Sequence, residues 1–251
     1  TAIQAAKEGG GILEKYFQSS LLERKLKDDK TIVTQADEEI EKRIIEIIKK
    51  DYPSHAFLAE ESGKEDTGSD YAWIIDPIDG TRNFANGIPI FAISIALVKD
   101  DEPLVSAIYN PITNDLFTGE KGKGAFWNGR QIVVSSQQAD KAMITIGTSS
   151  KPEDRNLVHR YFSHARQYVN AVRYLGSAAL ELCYLARGGT EGFVSIGLSK
   201  WDYAAGALLV LEAGGMMTDF HGNPWTFAQN YFLASNGVIH PQLLELTQAA
   251  A

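Results

Sequence analysis

Apolar and polar residues follow two different periods in the first 90 residues. Helical spacing marks the segments 2–17 and 38–53, and in the second of them Ile40, Ile44 and Ile48 lie on one face. Short apolar runs predict strands at 31–33, 56–62 and 71–75, and the polar stretch 63–70 predicts a surface loop. Acidic residues follow the later runs, so these strands are expected to deliver carboxylates at their ends.

From residue 90 onward the pattern indicates strands first and then an alternation of strands and helices. Segments 90–98 and 104–111 predict two strands joined by a turn, and the Gly-rich segment 116–136 predicts a hairpin followed by a strand. Beyond about residue 140, strands are predicted at 143–147, 169–173, 192–196, 216–220 and 231–235, and helices at 154–167, 177–188, 202–215 and 241–248.

These patterns predict the α/β class, with an α+β half at 1–138 and an α/β half at 139–251. The seam between the halves has no linker composition. We therefore expect one interlocked unit in which the two halves share a large interface.

Composition narrows the class of protein. The 251 residues are 44% apolar and 22% charged, which is typical of a globular domain with a sizeable core. The net charge of −8 argues against a nucleic-acid polymer as partner, and the apolar runs are far shorter than the ~20 residues of a membrane helix. Cys183 is the only cysteine, which excludes an intrachain disulfide and favours the cytoplasm. An anionic substrate would need a bound cation to attract it.

The segment WIIDPIDGT, residues 73–81, ends an apolar run in two carboxylates, Asp76 and Asp79. Side chains three apart in a strand point to opposite faces, so these two converge only if the chain bends between them. Pro77 and Gly80 suit such a bend. The two carboxylates with the Ile78 carbonyl would suit Mg²⁺. A solvated turn is the alternative, because Pro, Asp and Gly are common turn residues.

Three more acids have two interpretations. Glu60 follows a predicted strand, where an acid is often simply exposed. Asp37 and Asp202 each stand three residues after a hydroxyl residue, Thr34 and Ser199, in the pattern of a helix capping box. Capping alone would explain both positions. It does not explain why so many strand ends deliver acids.

Several motifs together resemble the inositol monophosphatase family, whose members are Mg²⁺-dependent, lithium-sensitive phosphomonoesterases. They are VTQAD (33–37), AEES (59–62), WIIDPIDGT (73–81), GAFWNG (124–129), LGSAALELCYLARG (175–188) and WDYAAGALLVLEAGG (201–215). The resemblance implies a layered α-β-α-β-α sandwich, two or three Mg²⁺ per site, a homodimer, and a small phosphorylated metabolite as substrate.

The resemblance also implies roles for individual residues. The implied metal ligands are Glu60, Asp76, the Ile78 carbonyl, Asp79 and Asp202. Glu60 and Thr81 would activate a water, with Asp37 supporting Thr81. The implied phosphate and substrate contacts are the amides of Gly80 and Thr81, together with Asp79, Gly176, Ala178, Ser195 and Asp202. The helix that begins near Ala178 would also present its N-terminus to an anion.

Ser195 departs from the family pattern, because inositol-hydrolysing members usually carry Glu seven residues before the WD aspartate. The substrate is therefore open among inositol 1-phosphate, other sugar phosphates, fructose 1,6-bisphosphate, histidinol phosphate and 3′-phosphoadenosine nucleotides. A phosphatase of the haloacid-dehalogenase type is a rival, although its D-x-D-G-T spacing differs from the D-x-x-D-G-T found here. A phosphate-binding or scaffolding relative without activity is the second rival.

Overall fold

The computed structural model describes residues 1–19, 24–26 and 32–249. The helices in this part of the chain are α1 (Ala2–Tyr16), α2 (Gln35–Asp51), α3 (Thr81–Ala85), α4 (Pro152–Ala165), α5 (Ala178–Ala186), α6 (Lys200–Glu212) and α7 (His240–Ala249). None of them is both long and apolar enough to cross a membrane.

The strands of the described chain belong to three sheets. In the first half they are β1 (Arg24–Leu26), β2 (Ile32–Thr34), β3 (Ala56–Ala59), β4 (Gly63–Glu65), β5 (Tyr71–Asp79), β6 (Ala92–Lys99), β7 (Glu102–Asn110), β8 (Asp115–Glu120), β9 (Gly124–Trp127) and β10 (Arg130–Ile132). In the second half they are β11 (Met143–Thr148), β12 (Ala171–Arg173), β13 (Gly192–Ile196), β14 (Met216–Thr218) and β15 (Tyr231–Ser235).

Two mixed sheets dominate the fold. The larger has eight strands in the order β10-β9-β8-β7-β6-β5-β3-β4, and the smaller has five in the order β12-β11-β13-β15-β14. Strands β1 and β2 form a separate antiparallel pair. In the larger sheet β3 and β5 are parallel, whereas β5 to β10 are antiparallel neighbours.

Three apolar cores join the five layers. Helices α1 and α2 cover one face of the larger sheet, where Ile40 and Ile44 pack in one core with Ile75 and Ile93. Helices α5 and α6 lie between the two sheets in the central core. Helices α4 and α7 cover the outer face of the smaller sheet. This arrangement confirms the predicted layered α-β-α-β-α sandwich.

Local differences from the predicted pattern lie near the acidic strand ends. The polar stretch predicted as a surface loop contains the short strand β4, paired with β3. The strand predicted at 56–62 ends at Ala59 and is followed by a turn. A single-turn helix, α3, follows Gly80, where no helix was predicted. For the strand predicted at 31–33, β2 begins at Ile32, and residue 31 lies outside the described residues.

Candidate functional site

The two carboxylates of DPIDG converge through a bulge in β5. Asp76 pairs with Ser94 of β6, and Asp79 pairs with Ala92, so that three steps along β5 oppose two along β6. The extra residue reverses the alternation of faces, and both side chains turn to the same side. The Ile78 amide donates to Asp76 Oδ1 at 2.9 Å, which fixes the first carboxylate inside the bulge.

Asp202 brings a third carboxylate to the same place from the opening turn of α6. One oxygen from each of Asp76, Asp79 and Asp202 lies within 4.8 Å of the others. The Ser199 amide donates to Asp202 Oδ2 at 2.7 Å, as the capping pattern predicted. The same side chain therefore caps its helix and contributes to the cluster.

Like charges surround this cluster. Burial raises the pKa of Asp76 well above its ordinary value, and the carboxylates of Glu60, Asp79 and Asp202 raise it further. Burial and then the charge of Asp79 act on the pKa of Asp202 in the same direction. Buried carboxylates this close repel one another unless a proton or a cation lies between them. The oxygen donor set and its negative charge therefore fit a hard divalent cation such as Mg²⁺.

Glu60 lies beside these three acids at the end of β3. Its carboxylate lies close enough to that of Asp76 to raise the pKa of Asp76. Its backbone amide donates to the Ile75 carbonyl at 3.2 Å, which continues the parallel pairing of β3 with β5. Unlike Asp76, Glu60 is only half-buried, so its carboxylate also faces the cleft described below.

Asp79 also binds the N-terminus of α5, in the other half of the chain. It accepts hydrogen bonds from the Ser177 hydroxyl, from the Ala178 amide at 3.2 Å and from the Ala179 amide at 2.9 Å. Burial raises the pKa of Asp79 to about 7, although these three donors oppose that shift. The anion at this helix N-terminus is thus a side chain of the protein.

A second buried carboxylate accepts hydrogen bonds from the backbone amides that precede Ser177. Glu181, on α5, accepts from the Leu175 amide at 2.6 Å and from the Gly176 amide at 3.2 Å. Gly176 and Ala178, which the resemblance implies as substrate contacts, both line the cleft. Their amides, however, already donate to Glu181 and Asp79, and sequence reasoning had missed the part played by Glu181.

Both the backbone conformation and the surrounding atoms restrict position 80 to glycine. Its φ is +96°, in the left-handed region, and a Cβ there would lie 2.9 Å from the Ile90 carbonyl oxygen and 3.2 Å from that of Gly176. No other residue fits this place without displacing backbone. The turn starts α3, and the Thr81 hydroxyl donates back to the Ile78 carbonyl at 2.9 Å.

Asp37 forms the predicted cap of α2. Its Oδ2 accepts from the Thr34 amide at 2.8 Å and from the Thr34 hydroxyl at 2.6 Å, whereas its buried Oδ1 has no hydrogen-bond partner. Burial raises its pKa to about 7, and the charges of Glu60 and Glu61 add to the shift. The expected support of Thr81 by Asp37 is not among the bonds seen here, because the Thr81 hydroxyl binds Ile78.

Glu41 positions the loop that carries Glu60, and sequence reasoning missed it. This buried side chain on α2 accepts from the amides of Glu61 and Ser62, both at 2.8 Å. It lies one helical turn after Asp37, so the spacing of four could have indicated that both acids share the inward face. Two buried carboxylates on α2 thus approach the same turn.

The geometry gives no support to Ser195 as a substrate contact. The residue is fully buried in β13, and its hydroxyl donates to the Asn230 carbonyl at 2.9 Å. A hydroxyl without exposed surface has nothing to offer a ligand. Asn230 lines the cleft, whereas Ser195 lies behind it.

The cluster opens into a cleft with two lobes. Lobe 1, of about 790 Å³, contains Asp79 and Asp202. Lobe 2, of about 860 Å³, contains Gly80 and Thr81. The lobes meet along a shared wall formed by Glu60, Thr148, Ser149, Ser150, Tyr174 and Gly176.

Known proteins resemble the chain over its whole length. The model of the inositol monophosphatase family matches residues 1–251. The Nus factor SuhB of Pasteurella multocida is 37% identical over 98% of this chain and 94% of its own length. The fructose-1,6-bisphosphatase/inositol-1-monophosphatase of Aquifex aeolicus is 37% identical over 97% of this chain and 92% of its own.

A solved structure, the IMPase of Thermotoga maritima, is 34% identical and superposes with a TM-score of 0.89, covering 99% of this chain and 95% of that one. The fold, the order of the motifs and these matches agree with one another. The chain belongs to the inositol monophosphatase family.

Proposed function

We propose that the protein hydrolyses a small phosphate monoester with the help of Mg²⁺. The observation that carries this proposal is the group of three carboxylates, Asp76, Asp79 and Asp202, whose oxygens lie within 4.8 Å of one another beside a cleft that Asp79 and Asp202 line. Family membership supports a phosphatase, and the donor set fits the cation on which such chemistry depends.

Each residue has a role in the proposed reaction. Glu60, Asp76, Asp79, Asp202 and the Ile78 carbonyl would hold Mg²⁺. When bound, Mg²⁺ would neutralise the phosphate dianion and lower the pKa of a bound water. Glu60, half-buried at the junction of the lobes, would accept the proton of the attacking water. The amides of Gly80 and Thr81 would orient the phosphate oxygens at the start of α3.

The specific substrate and assembly are finer parts of the proposal. Inositol 1-phosphate and related sugar phosphates are the first candidates, and the double name of the Aquifex aeolicus relative supports testing both monophosphates and bisphosphates. A homodimer, as the resemblance implies, also belongs to the proposal.

Phosphate release from a panel of monoesters with Mg²⁺ tests the function. The wild type should release phosphate from at least one sugar phosphate. Asp76→Asn should lower kcat roughly 10²-fold, since it removes a charged group from the reaction centre. Asp115→Asn is the matched control, because Asp115 is an acid of the same sheet that binds Trp127 at 2.7 Å, outside both lobes. Equal activity of all three proteins would contradict the proposal.

A second candidate function follows from the relatives that are named Nus factor SuhB. In that case the cleft would serve binding or regulation instead of turnover. A folded, Mg²⁺-binding protein that released no phosphate from any monoester of the panel would favour this alternative.

A further inference from the structure

Asp154 is a buried acid outside the carboxylate cluster. It lies in the first turn of α4, where the positive end of the helix dipole favours a carboxylate, and it is 2% exposed. Its Oδ2 accepts a hydrogen bond from the Ser149 hydroxyl, and its Oδ1 accepts one from the Tyr231 hydroxyl at 2.6 Å. The hydrogen bond to Asp154, and then burial, raise the pKa of Tyr231 to about 12, so this phenol remains a donor at neutral pH.

The three segments that meet at Asp154 come from one end of the smaller sheet. Ser149 follows β11, Gly197 follows β13, and Tyr231 begins β15. At Gly197, φ is +71° and an added Cβ would overlap with the Asp154 carboxylate, so the carboxylate fills the space that a side chain would need. Because β11 and β13 are parallel, their carboxyl ends meet at one edge, where ligands commonly bind in open α/β sheets.

The same segments form one wall of lobe 1. The residues of this wall are Thr148, Ser149, Gly197 and Asn230. Backbone hydrogen bonds join them, since the Ser149 amide donates to the Ile196 carbonyl at 3.0 Å. The Gly197 amide donates to the Asn230 carbonyl, also at 3.0 Å. Asp154 lines neither lobe, so its carboxylate holds the wall from the side that faces away from the cleft.

The wall leads into the carboxylate cluster along the chain. Gly197 stands two residues before Ser199, the N-cap of α6, and Asp202 is the third residue of that helix. The Ser199 amide holds Asp202 independently of Asp154, at 2.7 Å. A change at Asp154 should therefore alter the shape of lobe 1 more than the position of the proposed Mg²⁺ ligands.

We propose that Asp154 is a positioning residue that sets the lobe 1 wall for the substrate. It acts through Ser149 and Gly197 and does not itself touch the substrate. The inference rests on the proposed function, and it assigns to α4 the task of holding the ends of β11, β13 and β15 together. A loosened wall should bind the substrate less tightly in the ground state and in the transition state alike, which raises KM and leaves kcat unchanged.

Steady-state kinetics on the monoester that the wild type hydrolyses fastest test the proposal. Asp154→Asn should raise KM about tenfold and keep kcat, as expected for a lost charged hydrogen bond that acts on binding. Tyr231→Phe should raise KM by a smaller factor, although its hydroxyl lies outside both lobes. The Mg²⁺ concentration for half-maximal activity should stay the same in both variants. Glu153→Gln is the matched control, because it removes an exposed acid from the same helical turn and should keep KM.

The split between KM and kcat separates positioning from a purely structural role. A structural role predicts a lower Tm with KM unchanged in the folded protein, and that result for Asp154→Asn and Tyr231→Phe would overturn the inference while keeping the phosphatase. A loss of kcat at constant KM would overturn it as well. If Asp154→Asn does not fold, the KM of Tyr231→Phe decides.

A wild type that hydrolyses no monoester would contradict the proposed function, and calorimetric titration with inositol 1-phosphate in Mg²⁺ would then decide the inference. Weaker binding to Tyr231→Phe than to the wild type and Glu153→Gln supports the positioning role. Equal affinities of the three proteins, or no binding to the wild type, refute it.

Discussion

Asp37 and Asp202 occupy the same position in two helix-opening motifs, yet their surroundings differ. Each is the third residue after a hydroxyl residue, and each accepts a hydrogen bond from the backbone amide of that residue, at 2.8 Å from Thr34 and 2.7 Å from Ser199. The second oxygen of Asp37 is buried without a partner. Asp202 instead shares a cluster with Asp76 and Asp79.

The comparison shows that a capping box can act as a positioning device. The cap holds one carboxylate oxygen and fixes the direction of the other, at the cost of one acceptor site. What the second oxygen meets then depends on distant parts of the chain. The Asp202 carboxylate lies beside two acids of β5, whereas the Asp37 carboxylate lies near the charges of Glu60 and Glu61.

The largest effect should come from withdrawing the cation that the Asp202 cluster is placed to share. A chelator should abolish phosphate release, and excess Mg²⁺ should restore it, because the proposed metal supplies both charge neutralisation and an activated water. Mg²⁺ should also raise Tm, since it binds the folded chain. Full turnover in the chelator would contradict the Mg²⁺ requirement.

The next largest effect should separate the two capping aspartates. Asp202→Asn should lower kcat roughly 10²-fold or more, since it removes a charge from the reaction centre. It should also raise the Mg²⁺ concentration that is needed for half-maximal activity. Asp37→Asn should lower kcat by a smaller factor and keep the Mg²⁺ concentration for half-maximal activity. Mg²⁺ titrations of both variants make the comparison, and an equal loss of Mg²⁺ affinity would place Asp37 among the ligands.

The pH dependence of stability should sharpen the same contrast. Burial raises the pKa of both Asp37 and Asp79 to about 7, well above the ordinary value for an aspartate. Between about pH 4 and pH 7 the unfolded chain releases these protons before the folded chain does. The free energy of unfolding of the metal-free protein should therefore fall as pH rises through that range, by about 1.4 kcal/mol per pKa unit of each group.

Urea denaturation at pH 5 and pH 7 measures this slope. Asp37→Asn should make it shallower by removing one of the groups. Mg²⁺ should reduce the part due to Asp79 and keep the part due to Asp37, since only Asp79 belongs to the cluster. A metal-free wild type that becomes more stable from pH 5 to pH 7 would refute the raised pKa values.

The smallest effect concerns the caps themselves. Thr34→Ala should destabilise the protein by about 1 kcal/mol, because the buried hydroxyl both donates to Asp37 and accepts from the Ala36 amide. Ser199→Ala should cost less, because Asp202 is held through the Ser199 backbone amide, which the substitution keeps, whereas Thr34→Ala also removes a hydroxyl that binds Asp37. Denaturant midpoints at constant m-value test the order, and an equal loss would mean that the two caps are energetically alike.

Local chemistry explains what could be predicted from sequence. The convergence of Asp76 and Asp79 followed from the period of a strand and from the bend residues between them. The caps at Thr34 and Ser199 followed from the spacing of hydroxyl and acid. Each of these sequence patterns covers only a few residues, so its outcome depends on a single strand or helix.

Long-range pairing explains what could not be predicted. Asp79 and Ser177 are 98 residues apart, and only the packing of α5 between the sheets brings them together. Ser195 lies in β13, whose residues are all buried, and its register partner in β15 is Phe232. A register shift of one residue would have turned it to the other face, and the pattern of a fully buried strand does not fix that register.

If Mg²⁺ binds at the cluster as proposed, the bonds from Asp79 to α5 link the affinity for Mg²⁺ to the docking of α5. Each donor on α5 that holds Asp79 reduces the entropy that the carboxylate loses when it binds a cation, so a docked α5 favours metal binding. By reciprocity, bound metal favours the docked helix. Partial opening of the central core should then release metal before global unfolding, and the acidic centre would act as a sensor of whether the two sheets are joined.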